Sequence, residues 1–159
     1  MFSKINYEGS IIKQYETLAR QLDALLEGET DRIANLSNAS ALLNQFLDNI
    51  NWVGFYLMKE DQLVLGPFQG LPACVRIAIG RGVCGTAVSE RTTMLVEDVH
   101  AFPGHIACDA ATNSEIVIPL LKDDEVIGVL DIDSPIKSRF STEDQQGLEL
   151  FVHTLIKYL

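Results

Sequence analysis

The sequence predicts an α+β fold. A central antiparallel sheet is expected, with N-terminal and C-terminal helices packed on one side and a long cysteine-bearing loop region over the other. Three observations lead there. Apolar residues recur at helical spacing near both ends of the chain. Between them lie two pairs of β-rich runs, each pair broken only by a short polar turn. Helices segregated from sequential hairpins are the pattern of an antiparallel sheet covered by helices, rather than of alternating parallel units.

Each element follows in order. Tyr15, Leu18, Ala19, Leu22, Leu25 and Leu26 mark a first amphipathic helix. Thr30 or Asp31 supplies the cap of a second, whose apolar face is expected to hold Leu36, Leu43, Phe46, Leu47 and Ile50. NWVGFYLM and QLVLGPF flank the turn KEDQ, and SEIVIPLL and EVIGVLDID flank KDDE, giving two hairpins. Residues 69 to 113 separate the hairpins and carry Cys74, Cys84 and Cys108. Within that segment TTMLVED reads as a short strand and GTAVSE as a short helix. A long, weakly structured insertion in a compact domain usually serves as a lid or binding loop. Ser141 and Asp144 fit a capping box, and Leu148, Phe151, Val152, Leu155 and Leu159 follow as a closing helical face. No repeat or linker interrupts the chain, so residues 1–159 read as one domain. Its parts are helices over 1–50, the sheet with its insertion over 51–140, and the last helix over 141–159.

Composition narrows the function. An apolar share of 47% and a charged share of 21% describe an ordinary globular protein. No run approaches the roughly 18 apolar residues of a membrane helix. The first residues, MFSKINYEGS, hold no apolar signal region, so a cytoplasmic protein is expected. A formal net charge of -10 makes nucleic acid and anionic membranes poor partners. An odd number of cysteines, 3, argues against a disulfide scaffold, and with no CxxC pair a structural zinc site lacks its usual spacing. His100, His105 and Cys108 are the remaining grouping that could approach a metal, and no metal or other cofactor is expected.

Several stretches suggest chemistry. GRGVCG, residues 80 to 85, matches G-x-G-x-x-G, but a dinucleotide unit needs about 30 residues with a full crossover helix, which does not fit before Pro103. Its glycines can still aim the N–H groups of Gly82, Val83 and Cys84 at a small anion such as a carboxylate; the alternative is a plain tight turn. Asp131 and Asp133 lie two apart at the end of a strong strand, on the face that Val129 begins as core. Glu115 opens the partner strand, so three acids can meet at one mouth, where they either raise one another's pKa, giving a general acid, or bind a cation or an ammonium. Solvent exposure at the strand end is the competing reading. Trp52 and Tyr56, four apart in a strand, share a face as core or as pocket wall. A cysteine in the polar stretch GHIACDAATNSE, with others on neighbouring segments, suggests a nucleophile and a resolving thiol.

Taken together, NWVGFYL, GPFQG, PACVRIAIGRGVCGTA, EDVHAFPGHIACDAATNSEIVIPL and GVLDIDSP resemble the free methionine-(R)-sulfoxide reductases, which are built on a GAF domain. The resemblance runs from about Asn51 to Phe151. It implies that Cys108 attacks the sulfoxide sulfur, that Cys74 resolves the sulfenic acid as a disulfide, and that Cys84 assists or lines the pocket. It further implies that Trp52 and Tyr56 hold the methyl end, and that Glu115, Asp131 and Asp133 contact the sulfoxide oxygen and the amino group. Thioredoxin as reductant, no bound cofactor and a homodimer through the terminal helices are the remaining expectations. The alternative is a GAF-domain small-molecule or nucleotide sensor without catalysis.

Overall fold

The computed structural model describes residues 3–159. Met1 and Phe2, the start of the expected N-terminal helical region, lie outside the described residues. Helix α1, Ile11–Leu26, begins where the Ser10 hydroxyl accepts the Lys13 N–H. Its apolar stripe of Tyr15, Leu18, Ala19, Leu22 and Leu26 is buried, as the spacing requires. Helix α2, Arg32–Phe46, is capped by Asp31, whose carboxylate accepts the Ala34 N–H at 2.8 Å. Of the two expected caps, then, Asp31 serves. The expected apolar face overran this helix: Leu47 turns extended as its C-cap, and Ile50 lies beyond it. Asn49, in the left-handed region at φ 56°, redirects the chain into the sheet.

The strands are β1 Trp52–Lys59, β2 Gln62–Gly70, β3 Arg76–Ala78, β4 Met94–Val96, β5 Ser114–Lys122 and β6 Glu125–Ser134. They form one antiparallel sheet in the order β3-β2-β1-β6-β5-β4. Both expected hairpins are present. Each turns on two acidic residues with positive φ, Glu60–Asp61 and Asp123–Asp124, the conformation that two-residue hairpin loops demand. The segment between the hairpins is better ordered than expected. It holds β3, β4, a short 3₁₀ turn at Val99–Ala101 and helix α3, Gly82–Glu90. Helix α3 starts three residues before the GTAVSE stretch that predicted it. Helix α4, Thr142–Ile156, opens with the Ser141–Asp144 capping box and closes the fold.

Strand alternation divides the core in two. Val53, Phe55 and Leu57 of β1, Ile116, Ile118 and Leu120 of β5, and Leu130 and Ile132 of β6 pack under α1, α2 and α4. Fully burying side chains of this size stabilises by about 1.5–3 kcal/mol each. The opposite parity, Trp52, Tyr56, Val117 and Val129, faces α3 through Val83, Cys84, Ala87 and Val88. Glu115, Asp131 and Asp133 share this second parity, so the fold aims three acids toward α3 and the insertion and away from α1, α2 and α4.

Candidate active site

The acids meet because the register brings one end of three strands together. Glu115 on β5 pairs with Asp133 on β6, and Asp133 pairs in turn with Trp52 at the start of β1. Asp131 lies one pleat inward, opposite Val117 and Gly54. Glu115 and Asp131 are buried and Asp133 is half-buried, so the reading of simple solvent exposure fails. Burial first, and then the facing Asp131 and Asp133 carboxylates, hold the Glu115 carboxyl well above its ordinary range. Burial likewise raises Asp133, helped by the Asp131 charge. Asp131 is raised by burial too, against the opposing pull of hydrogen bonds from Glu115 and Cys84. The cluster therefore retains protons where isolated carboxyls would have lost them.

Trp52 and Tyr56 stack with ring centroids 5.9 Å apart, and Phe68 continues the stack on Trp52 at 5.1 Å. Both polar tips tie down the segment that leads into β3. Trp52 Nε1 donates to the Leu71 carbonyl at 3.1 Å, and the Tyr56 hydroxyl donates to the Cys74 carbonyl at 2.9 Å. The aromatic pair is thus core on one side and pocket wall on the other.

Cys74 and Cys108 form a disulfide, with Cα atoms 5.8 Å apart and positions 34 apart in sequence. The cysteine count argued against a disulfide scaffold. The one bond present joins two segments beside the acidic pocket, and it matches the pairing that the resemblance implied. Cys108 is exposed and Cys74 half-buried. Cys84 is buried in the first turn of α3. Burial, reinforced by the charges of Asp131, Glu115 and Asp133, pushes its thiol well above the usual range, so it stays protonated.

Gly82 supplies the start of α3 at φ +61°, a conformation glycine adopts without strain. No side chain caps this helix, and its first internal bond is from the Gly85 N–H to the Arg81 carbonyl. The preceding N–H groups, on Gly82, Val83 and Cys84, lie at the pocket wall formed by those residues. The GRGVCG turn thus opens a nine-residue helix and no dinucleotide crossover.

One cavity of about 40 Å³ collects these parts: Trp52, Tyr56, Gly82, Val83, Cys84, Cys108, Glu115, Asp131 and Asp133 all line it. His105 lines it as well, while His100 turns to the Asn113 side-chain oxygen at 3.1 Å. The His100–His105–Cys108 grouping, which could in principle have approached a metal, therefore does not assemble. Among the described residues, the metal-binding geometry belongs to Cys84, Glu115 and Asp131, whose donor atoms lie within 4.8 Å of one another.

Sequence reasoning missed Asn51. Its side-chain N–H groups reach Asp109 and Thr112, each at 3.0 Å, and so pin the Cys108 loop to the start of β1. Its backbone N–H donates to the Asp133 carbonyl at 2.9 Å. The available signal was a polar amide directly ahead of an apolar strand, which reads equally well as a strand boundary.

Comparison with known proteins places this geometry in a family. A GAF domain model matches residues 21–157. The chain is 59% identical over 145 residues to an Escherichia coli protein named free methionine-R-sulfoxide reductase, covering 91% of this chain and 88% of that one. The structure of free methionine-R-sulfoxide reductase from Neisseria meningitidis in complex with its substrate superposes with a TM-score of 0.94 at 41% identity, covering 99% of this chain and 95% of that one. A Staphylococcus aureus fRMsr in complex with substrate gives a TM-score of 0.88 at 56% identity, covering 98% of this chain and 99% of that one. With this degree of identity over the whole fold, the chain belongs to the GAF-domain free methionine-R-sulfoxide reductase family.

Proposed function

We propose that the protein reduces free L-methionine-(R)-sulfoxide to methionine by thiol chemistry, with Cys108 as nucleophile and Cys74 as resolving thiol. The observation that carries the reading is the Cys74–Cys108 disulfide closed over a pocket floored by three acids. Sulfoxide oxygen is a poor leaving group until protonated, and a buried carboxyl that keeps its proton near neutral pH supplies that proton. The Cys108 thiolate attacks sulfur, the oxygen transfers to Cys108 as a sulfenic acid, and methionine departs. The Cys74 thiol then attacks the sulfenic sulfur, forming the disulfide and releasing water. The sulfoxide gains two electrons and the two thiols lose them.

Specificity follows from charge. Free methionine sulfoxide is a zwitterion: its ammonium suits the Glu115, Asp131 and Asp133 carboxyls, and its carboxylate suits the N–H groups of Gly82, Val83 and Cys84. Trp52 and Tyr56 wall the methyl end. A peptide-bound residue lacks both charges. The disulfide lies across the cavity of about 40 Å³ that these groups line, so the oxidised form leaves little room beside them, and reduction frees Cys108 for the next turnover. Cys84 serves as pocket lining, because its raised thiol pKa disfavours a nucleophilic role. A sensor without catalysis would need no thiol pair above the acids.

The proposal includes thioredoxin as reductant, a homodimer through the terminal helices and a cytoplasmic setting. Among the described residues no helix is long and apolar enough to cross a membrane. The test follows NADPH consumption with thioredoxin and its reductase, offering free R, free S and peptide-bound sulfoxides. Turnover confined to the free R epimer is expected; none with that epimer, or equal rates with all three, overturns the reading. Cys108→Ser should abolish even a single turnover, while Cys74→Ser should yield one methionine per enzyme and then stall.

A further inference from the structure

In the disulfide form Cys84 is the one free thiol. It sits against two buried carboxyls, with the donor atoms of Cys84, Glu115 and Asp131 all within 4.8 Å of one another. A second observation bears on the same place. Asp131 is 6% exposed, and its Oδ1 is buried with no hydrogen-bond partner. A buried carboxylate oxygen left bare costs free energy unless something fills its lone pairs. All three residues line the cavity of about 40 Å³, which has room for an ion and a water.

We propose that Cys84, Glu115 and Asp131 form a binding site for a zinc-class divalent cation. The donor set selects the class. One sulfur and two carboxylate oxygens suit a borderline-soft ion, whereas magnesium and calcium take oxygen ligands alone. Ligands around zinc lie about 2.0–2.3 Å from the metal, so donors already within 4.8 Å of one another need only close slightly. A water takes the fourth position. On binding, a metal–sulfur bond forms as the Cys84 S–H bond breaks, the proton passes to solvent, and no electrons change hands. Any proton on the two carboxyls is displaced in the same way. The site is read from geometry, and only its consequence rests on the function proposed above. An ion here occupies the polar floor that the sulfoxide and ammonium groups need, and it therefore inhibits.

The test uses the purified protein in its disulfide form, where Cys74 and Cys108 offer no thiolate. Cobalt(II) is the probe, because a thiolate–cobalt bond gives a near-ultraviolet charge-transfer band. A band that saturates at one equivalent, disappears on adding zinc, and is lost in Cys84→Ser is the expected result. Asp131→Asn should retain the thiol and weaken binding by at least about 10-fold. Zinc should also raise the melting temperature of the wild type, that of Asp131→Asn by less, and that of Cys84→Ser not at all. No band in the disulfide-form wild type overturns the site, whatever becomes of the variants. A band that persists in folded Cys84→Ser, or binding unchanged in folded Asp131→Asn, overturns it too. Turnover without a band removes the ion site and leaves the reductase reading; a band without turnover does the reverse.

Discussion

At neutral pH the proton that the proposed mechanism asks of the buried acids has a cost in stability at Glu115. Burial and its acidic neighbours hold it above the ordinary range, so the folded chain binds that proton more tightly than the unfolded chain does. The stability this contributes is fully present below the unfolded glutamate pKa of about 4.3. It is lost as pH rises through the raised folded value. Glu115→Gln carries no such charge. The variant is therefore expected to unfold at a higher urea midpoint than the wild type at pH 8, with the gap shrinking as pH falls toward 5. If Glu115 is the acid that protonates the sulfoxide oxygen in the proposed mechanism, turnover should meanwhile drop by about 10²-fold or more. A wild type that is the more stable at pH 8 would contradict the assignment. The acids were legible as residues because their two-residue spacing and the hairpin register follow from strand geometry. Asn51 was not, because its contacts to Asp109 and Thr112 span the sheet and a loop that no local pattern ties together.

Among the elements, the terminal helices were the most legible and the insertion the least. Amphipathic spacing alone places Tyr15 and Phe151 inside, and caps at Asp31 and Ser141 start α2 and α4. How α1 and α4 dock depends on a fit that spacing cannot express. Gly147 lies against the Tyr15 ring, where an added methyl would collide. The Tyr15 hydroxyl meanwhile donates to the Asp144 carboxylate at 2.7 Å, the group that also completes the α4 cap. Gly147→Ala gains about 1 kcal/mol of helix propensity. It loses about 1–3 kcal/mol to overpacking against a ring with no room to move. A net loss, seen as a lower urea midpoint at unchanged slope, is the expected outcome; an equal or higher midpoint would show that the two helices can spread. The insertion was harder to read because β3 and β4 are three residues each and α3 nine, too short for periodicity to emerge. They are ordered by contact with the sheet rather than by their own pattern.

For the molecule as a whole, one covalent bond links the site to global stability. The Cys74–Cys108 bond spans 34 residues, and closing a loop of that size restricts the unfolded chain by about 4 kcal/mol in the entropy model. Reduction should therefore lower the unfolding free energy of the wild type by up to that amount, read from urea denaturation, and leave that of Cys108→Ser unmoved; equal losses in both would locate the effect elsewhere. The amino-acid order by itself determined the fold class, the two hairpins, the Ser141–Asp144 capping box and the parity that sends Glu115, Asp131 and Asp133 to one face. These are properties of neighbours along the chain, fixed by helical and strand repeats and by turn chemistry. Only the tertiary structure decided that Cys84 lies buried against those acids, that Asn51 pins the Cys108 loop, and that the metal-binding geometry excludes both histidines. Those facts rest on distances between segments far apart in sequence, which the packing of α3 and the loops onto the sheet alone sets.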